Sequence, residues 1–379
     1  MKKILFIIHE ASETGAPLVI NNLLNSSYSK DYKCFVLSIY GGKIEHNLRD
    51  NAQVSVLYVK GQSKDFFHKV IRKFFKPKND YLKKLESGFF DLVYINSIAS
   101  LTRLPSLKFL KKNKTVLHIH EGPILIKNLD AEVLLQKEIN NFSKLIFVSD
   151  FVKEAIISEH KIDSSKYEVI APINRWIKGF NSDSELKLLG FAKNSFVVCS
   201  SGSMNYTKGV DVFLQIAINV INKANLNRPI YFIWIGTNGS AEIRNHLLAD
   251  IKKMSLEDNI KILPNTDAII SYFKESDVFL LSSREESYSM VAMENAMCGK
   301  PVICFDKGNG TVGFINNENG AVVPYLGIQE AATAILEMYD NPVVLKRKST
   351  AMKKSALEFS ADNGAVRIFN LIEEVINEG

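Results

Sequence analysis

The stretch Val278-Phe-Leu-Leu-Ser-Ser-Arg-Glu-Glu-Ser-Tyr-Ser-Met-Val-Ala-Met-Glu-Asn-Ala-Met-Cys-Gly-Lys-Pro-Val-Ile-Cys-Phe305 reads as strand, loop, helix, glycine stop and strand. Its ends, Val278–Ser282 and Val302–Phe305, are short apolar runs of the kind found in parallel strands covered on both faces. Gly299 falls just past the helix, and Pro301 prevents its continuation. Glu286 is placed in the loop at the carboxyl end of the first strand, and Glu294 two turns into the helix. Between them the amides of Ser289, Met290 and Val291 are first-turn donors, which with the helix dipole predict a site for an anionic phosphate. A carboxylate beside a diphosphate needs a cationic or hydroxyl-rich neighbour. A sugar approaching oxocarbenium character, or a ribose, supplies one.

The same alternation runs through all 379 residues. Strands are predicted at Lys3–Ile8, Cys34–Ile39, Val54–Val59, Leu92–Asn96, Thr115–His120 and Leu145–Ser149, and again at Phe196–Ser201, Ile230–Ile235, Ile260–Leu263, Val278–Ser282, Val302–Phe305 and Ala321–Val323. Two such series imply two doubly wound α/β domains, with ligands at the carboxyl ends of the strands. The divide is expected near Ala171-Pro172, because Pro172 and the polar stretch Asn181–Glu185 interrupt the periodicity. The expected domains are 1–171 and 172–359, followed by a helix over 360–379 capped by Ser360. That helix carries Val366, Phe369, Leu371, Ile372 and Val375 along one face, which the first domain can cover.

Composition sets the outer limits. With 46% hydrophobic and 23% charged residues, wholesale disorder and a fibrous fold are excluded. No run approaches the ~18 apolar residues of a membrane span. The start, Met1-Lys-Lys followed by Ile4–Ile8, reads as a first strand rather than a secretion signal. Cys34, Cys199, Cys298 and Cys304 lie far apart without paired spacing, as expected of reduced thiols in a cytoplasmic protein and not of a metal site.

Glu286 and Glu294, with seven residues between them, and Ala296-Met-Cys-Gly-Lys-Pro-Val302 after them, resemble the Glu-x7-Glu signature of the family 4 retaining glycosyltransferases. The resemblance implies the GT-B architecture: two Rossmann-like parallel-sheet domains facing a cleft, with the C-terminal helix crossing back to the first. It implies Glu286 at the donor sugar and Glu294 on the nucleotide ribose. Where the family has a small-aromatic-glycine loop, this chain has Ser287-Tyr288-Ser289. His9-Glu-Ala-Ser-Glu-Thr-Gly-Ala-Pro17 resembles the family's loop onto the first helix, where Gly15 allows close approach of a phosphate or acceptor. His120, in Val116-Leu-His-Ile-His-Glu121, aligns with the family histidine near the donor sugar, with Glu121 a second candidate and His118 two residues back on the same strand face. Gly202-Ser-Met-Asn-Tyr-Thr-Lys-Gly209 resembles the loop whose lysine neutralises the diphosphate, which assigns Lys208. Ser203 and Thr207 stand where many relatives carry an arginine. Asn265, in the turn Pro264–Asp267, is expected near the nucleotide base.

What the resemblance implies, then, is a retaining glycosyltransferase that needs neither metal nor cofactor. Its donor would be a nucleotide sugar, UDP- or GDP-linked first, and its acceptor a glycan or lipid-linked molecule, in envelope or capsule polysaccharide synthesis. A nucleotide-sugar epimerase and a catalytically silent carbohydrate-binding protein on the same fold are the alternative readings. A dehydrogenase is disfavoured, because Gly-x-Gly-x-x-Gly is absent after Ile8 and after Ser201.

Charge points to a surface as well as a site. Residues 1–170 carry 26 Lys+Arg against 18 Asp+Glu, and the remainder 21 against 23. In residues 64–77, Phe66-Phe67, Val70-Ile71 and Phe74-Phe75 recur at intervals of four, opposite Lys64, Lys69, Arg72, Lys73 and Lys76. That is a basic amphipathic helix, suited to lying on an anionic membrane or to packing on its own sheet. No nucleic-acid-reading motif accompanies the charge.

Overall fold

The computed structural model describes residues 1–58, 79–173, 186, 189–223, 228–358 and 361–378. The basic segment 64–77, the cap Ser360 and the polar stretch 181–185 lie outside the described residues. The chain forms two compact units, Met1–Asn174 with Ala361–Gly379, and Arg175–Ser360.

The first unit is built on a seven-stranded sheet: β1 (Lys2–Glu10), β2 (Tyr32–Tyr40), β3 (Gln53–Tyr58), β4 (Leu92–Asn96), β5 (Thr115–Ile119), β6 (Lys144–Phe147) and β7 (Tyr167–Val169). Their order is β3-β2-β1-β4-β5-β6-β7, and every pairing is parallel. The strand β7 adds an edge to the six expected. At three half-buried residues it is too short to show a period. The second unit has β8 (Phe196–Ser201), β9 (Ile230–Ile235), β10 (Ile260–Leu263), β11 (Val278–Leu281), β12 (Val302–Phe305) and β13 (Ala321–Val323), in the order β10-β9-β8-β11-β12-β13 and again all parallel. These are the two doubly wound parallel sheets that the sequence predicts.

Continuous apolar strands arise because both faces of each sheet are covered. Along β8, Phe196 and Val198 join one core with Phe213, Ala332 and Ile335, whereas Val197 and Cys199 join the opposite core with Ala292, Met293 and Met352. In β1, Ile4, Phe6 and Ile8 meet the C-terminal helix Ala361–Asn377 through Ala365, Ile368, Phe369 and Ile372. Phe369 stacks on Tyr32 with centroids 5.0 Å apart, and Lys144 Nζ lies 2.7 Å from Glu374. Lys2 and the Tyr32 hydroxyl both bond Glu373 and hold its carboxyl below the usual range. Among the described residues, no helix is long and apolar enough to cross a membrane. The four cysteines are free, and burial pushes the Cys34 and Cys304 thiols up to about 12.

Each sheet reverses its winding once, between β1 and β4 and between β8 and β11. The loops leaving those strands are where ligands of such sheets are held. Phe369→Ala removes a ring that is 3% exposed, and it should cost about 3–5 kcal/mol of stability in urea unfolding. An unchanged transition would mean that the helix does not belong to the first unit's core.

Candidate functional site

At the reversal of the second sheet, β8 and β11 lie side by side, and their loops carry two of the residues singled out by sequence. Lys208 closes the loop after β8, and Glu286 lies in the loop after β11. Lys208 Nζ sits 2.5 Å from Glu286 Oε2, with the two side chains 29% and 10% exposed. Ser283 Oγ adds a second donor to the same carboxylate oxygen at 3.3 Å. The backbone of Glu286 is fixed on both sides, its N–H donating to Gly308 O at 2.7 Å and its carbonyl accepting from Gly310 N at 2.7 Å.

These loops stack so closely that they need glycine. Gly209 has φ +66°, and a Cβ there would stand 2.1 Å from the carbonyl oxygen of Ser282. Gly308, at φ +68°, would place a Cβ 2.4 Å from the carbonyl oxygen of Arg284. The backbone itself therefore brings the Lys208 and Glu286 loops together.

Arg284 supplies the brace that sequence reading missed. Its guanidinium bonds Asp211 through two contacts of 2.7 and 2.8 Å, donates to Tyr206 O at 2.8 Å and lies 3.9 Å above the Tyr206 ring. The arginine holds the Asp211 carboxyl below its usual range. Thus an arginine does reach the Lys208 loop, from the loop after β11 rather than from Ser203 or Thr207, and it is engaged with Asp211. The partners are 73 residues apart, so no local pattern announces them.

The helix Met290–Met297 starts as expected but is differently occupied. Ser289 caps it, its Oγ accepting from Ala292 N at 3.3 Å. The Ser289 amide is not an open donor: it bonds Thr311 Oγ1 at 3.1 Å. This corrects the expected anion cradle, leaving Met290 and Val291, both half-buried, as its first-turn positions. Glu294, four residues beyond Met290 on the same helix face, is buried. Ser203 is half-buried in the loop after β8. Asn265 accepts from Thr237 N at 3.2 Å and so ties the loop after β10 to the loop after β9.

The other candidates lie on the first unit. Gly15 opens the helix Gly15–Leu24 and is exposed. His120 follows β5, with Nε2 2.9 Å from Asn96 Oδ1 and its ring 4.0 Å from that of His118. Burial, with His118 and His9 nearby, holds the His120 imidazole well below its usual range. His118 is buried against the Tyr94 hydroxyl at 2.8 Å, and burial lowers it to about 3. Glu121 is turned to the protein's own backbone. Its buried carboxylate accepts from Ile98 N and Ala99 N at 2.9 Å and from His120 N at 3.1 Å, closing the start of the helix Ile98–Leu101. Burial raises its pKa against the pull of those amides.

Gly88, at φ +69° with nothing within 4 Å of a built Cβ, offers a control for the loop stacking. Gly88→Ala should cost about 1–2 kcal/mol in urea unfolding, the strain of the conformation alone. Gly209→Ala should cost clearly more. Equal costs would mean that the Lys208 and Ser282 backbones separate freely.

The profile of the family described as glycosyl transferases group 1 matches residues 181–358. D-inositol 3-phosphate glycosyltransferase of Rhodococcus jostii is 24% identical over 236 residues, covering 61% of this chain and 52% of that protein. Its counterpart in Mycolicibacterium smegmatis is 24% identical over 232 residues, covering 59% and 51%. The matched region spans about half the length of these relatives. Among solved structures, Anabaena Alr3699/HepE in complex with UDP and glucose superposes with a TM-score of 0.80 at 19% identity, covering 99% of this chain and 100% of that one. The sucrose-phosphate synthase of Thermosynechococcus elongatus gives 0.78 at 16% identity, covering 100% of both. By fold the chain is of the GT-B class, and its second unit carries the sequence pattern of the group 1 glycosyltransferases.

Proposed function

We propose that the chain is a glycosyltransferase of the retaining, family 4 type, taking its sugar from a nucleotide-sugar donor and needing neither metal nor cofactor. The observation that carries the proposal is the pairing of Lys208 with Glu286 across the reversal of the second sheet, beside the capped helix that bears Glu294. A cation placed there meets a diphosphate, and the two acids meet hydroxyls. Alr3699/HepE is described with UDP and glucose and with UDP-glucose, which supports a UDP-sugar donor.

In this reading Lys208 neutralises the departing diphosphate, the first-turn positions Met290 and Val291 face it, and Glu294 accepts from the ribose hydroxyls. Asn265 and Ser203 line the nucleotide, Gly15 borders the diphosphate or acceptor, and Glu286 and His120 address the donor sugar. The bond from the anomeric carbon to the diphosphate oxygen breaks, and its electron pair leaves with the phosphate. The acceptor hydroxyl bonds the same face of that carbon and passes its proton to the departing phosphate oxygen. The products are a glycoside of retained configuration and a nucleoside diphosphate. A preorganised ammonium at the leaving oxygen is the main electrostatic help. The acceptor is a glycan or lipid-linked molecule of envelope or capsule polysaccharide synthesis. The basic segment 64–77 brings the enzyme to the inner face of an anionic membrane.

Lys208→Ala should lower kcat by about 10²-fold, as removal of one transition-state donor does. Glu294→Ala should weaken donor binding about 10–100-fold, from loss of charge-assisted hydrogen bonds. Transfer assays and calorimetry with UDP-, GDP- and ADP-sugars check both. Full activity and affinity in the two variants would refute the site. The membrane contact predicts co-sedimentation with anionic vesicles that weakens with salt. Equal retention on zwitterionic vesicles, or none on either, would refute it.

A further inference from the structure

Asn96 is the last residue of β4 and fully buried. Its Nδ2 donates to the carbonyl oxygen of Ala16 at 2.7 Å, while its Oδ1 lies 2.9 Å from His120 Nε2. A backbone carbonyl only accepts, so the amide nitrogen of Asn96 must face Ala16 and its oxygen must face the histidine. An amide oxygen also only accepts, so His120 Nε2 must carry the hydrogen of that bond. We propose that Asn96 is a positioning residue that sets the polarity of His120, holding it as the Nε2–H tautomer and leaving Nδ1 as a lone-pair acceptor.

The surroundings keep the imidazole neutral. Burial disfavours the charged ring, and the neighbouring His118 and His9 add to that effect. The carboxylate of Glu121, the nearest acid in sequence, is turned to the amides of Ile98, Ala99 and His120. The consequence for substrate rests on the reading that His120 meets the donor sugar. A neutral ring with an acceptor at Nδ1 takes a hydroxyl proton. A carboxylate, which only accepts, finds no partner there. The donor is therefore a sugar that presents a hydroxyl at this point, not a uronic acid that presents its carboxylate.

The test is the tautomer itself, read by long-range proton–nitrogen NMR on the full chain labelled at histidine, with His120 assigned by its disappearance in His120→Gln. Wild type should show neutral His120 with the hydrogen on Nε2 at neutral pH. Asn96→Leu should give a mixture of tautomers. Asn96→Asp, which presents a carboxylate, should shift the protonation midpoint of His120 upward. The hydrogen on Nδ1 in wild type, or spectra unchanged in both Asn96 variants, would overturn the assignment. The wild-type spectrum decides even where a variant fails to fold. Failure of the functional reading is distinguishable: His120→Ala would then keep full transfer activity, while the tautomer and its dependence on Asn96 stood as stated.

Discussion

The second unit depends on one ion pair, Lys208 with Glu286, set where its sheet changes direction. A carboxylate only 10% exposed is costly without a counter-charge, and removing either partner of such a pair leaves the other uncompensated. The two loops are held in that position by backbone rather than by side chains alone. Gly209 lies against Ser282 and Gly308 against Arg284, so the chain threads contacts that no other residue fits without displacement. Arg284, engaged by Asp211 and stacked on Tyr206, locks the outer edge of the arrangement. The result is a cation and an acid presented on rigid supports, as electrostatic preorganisation requires.

The first unit solves a parallel problem with neutral groups. Its β4 is followed by Ser97, a non-glycine residue at φ +94°, a conformation that costs of order 1–3 kcal/mol and persists only where its surroundings enforce it. The enforcing contacts are present. Ser97 N bonds His118 O at 2.8 Å, Ser97 caps the following helix through Ser100 N, and Glu121 takes the next two amides. A turn held this firmly keeps the neighbouring Asn96 amide in register with His120. Strain and buried polarity are thus concentrated beside the histidine.

Much of the architecture was legible because parallel strands buried on both faces appear as unbroken apolar runs, as Ile4–Ile8 and Val278–Leu281 do. Tyr167–Val169 escaped because it is short and half-buried at an edge. The site was legible only in part. Lys208, Glu286 and Glu294 stood out through a resemblance of local motifs, but their pairing did not, since Lys208 and Glu286 are 78 residues apart. The bond that closes the Ser289 amide comes from Thr311 on a neighbouring loop, and nothing near Ser289 signals it. Glu121 looked chemical because it follows His120. Its carboxylate instead satisfies helix-terminal amides, a structural role visible only once the turn at Ser97 is known.

The account is tested most directly by a crystal structure of the chain with a nucleotide sugar bound. It predicts the diphosphate within hydrogen-bond reach of Lys208 Nζ, the ribose hydroxyls on Glu294 and the sugar hydroxyls within reach of Glu286. A nucleotide sugar seated away from the loops that follow β8 and β11, with the Lys208–Glu286 pair untouched, would contradict it.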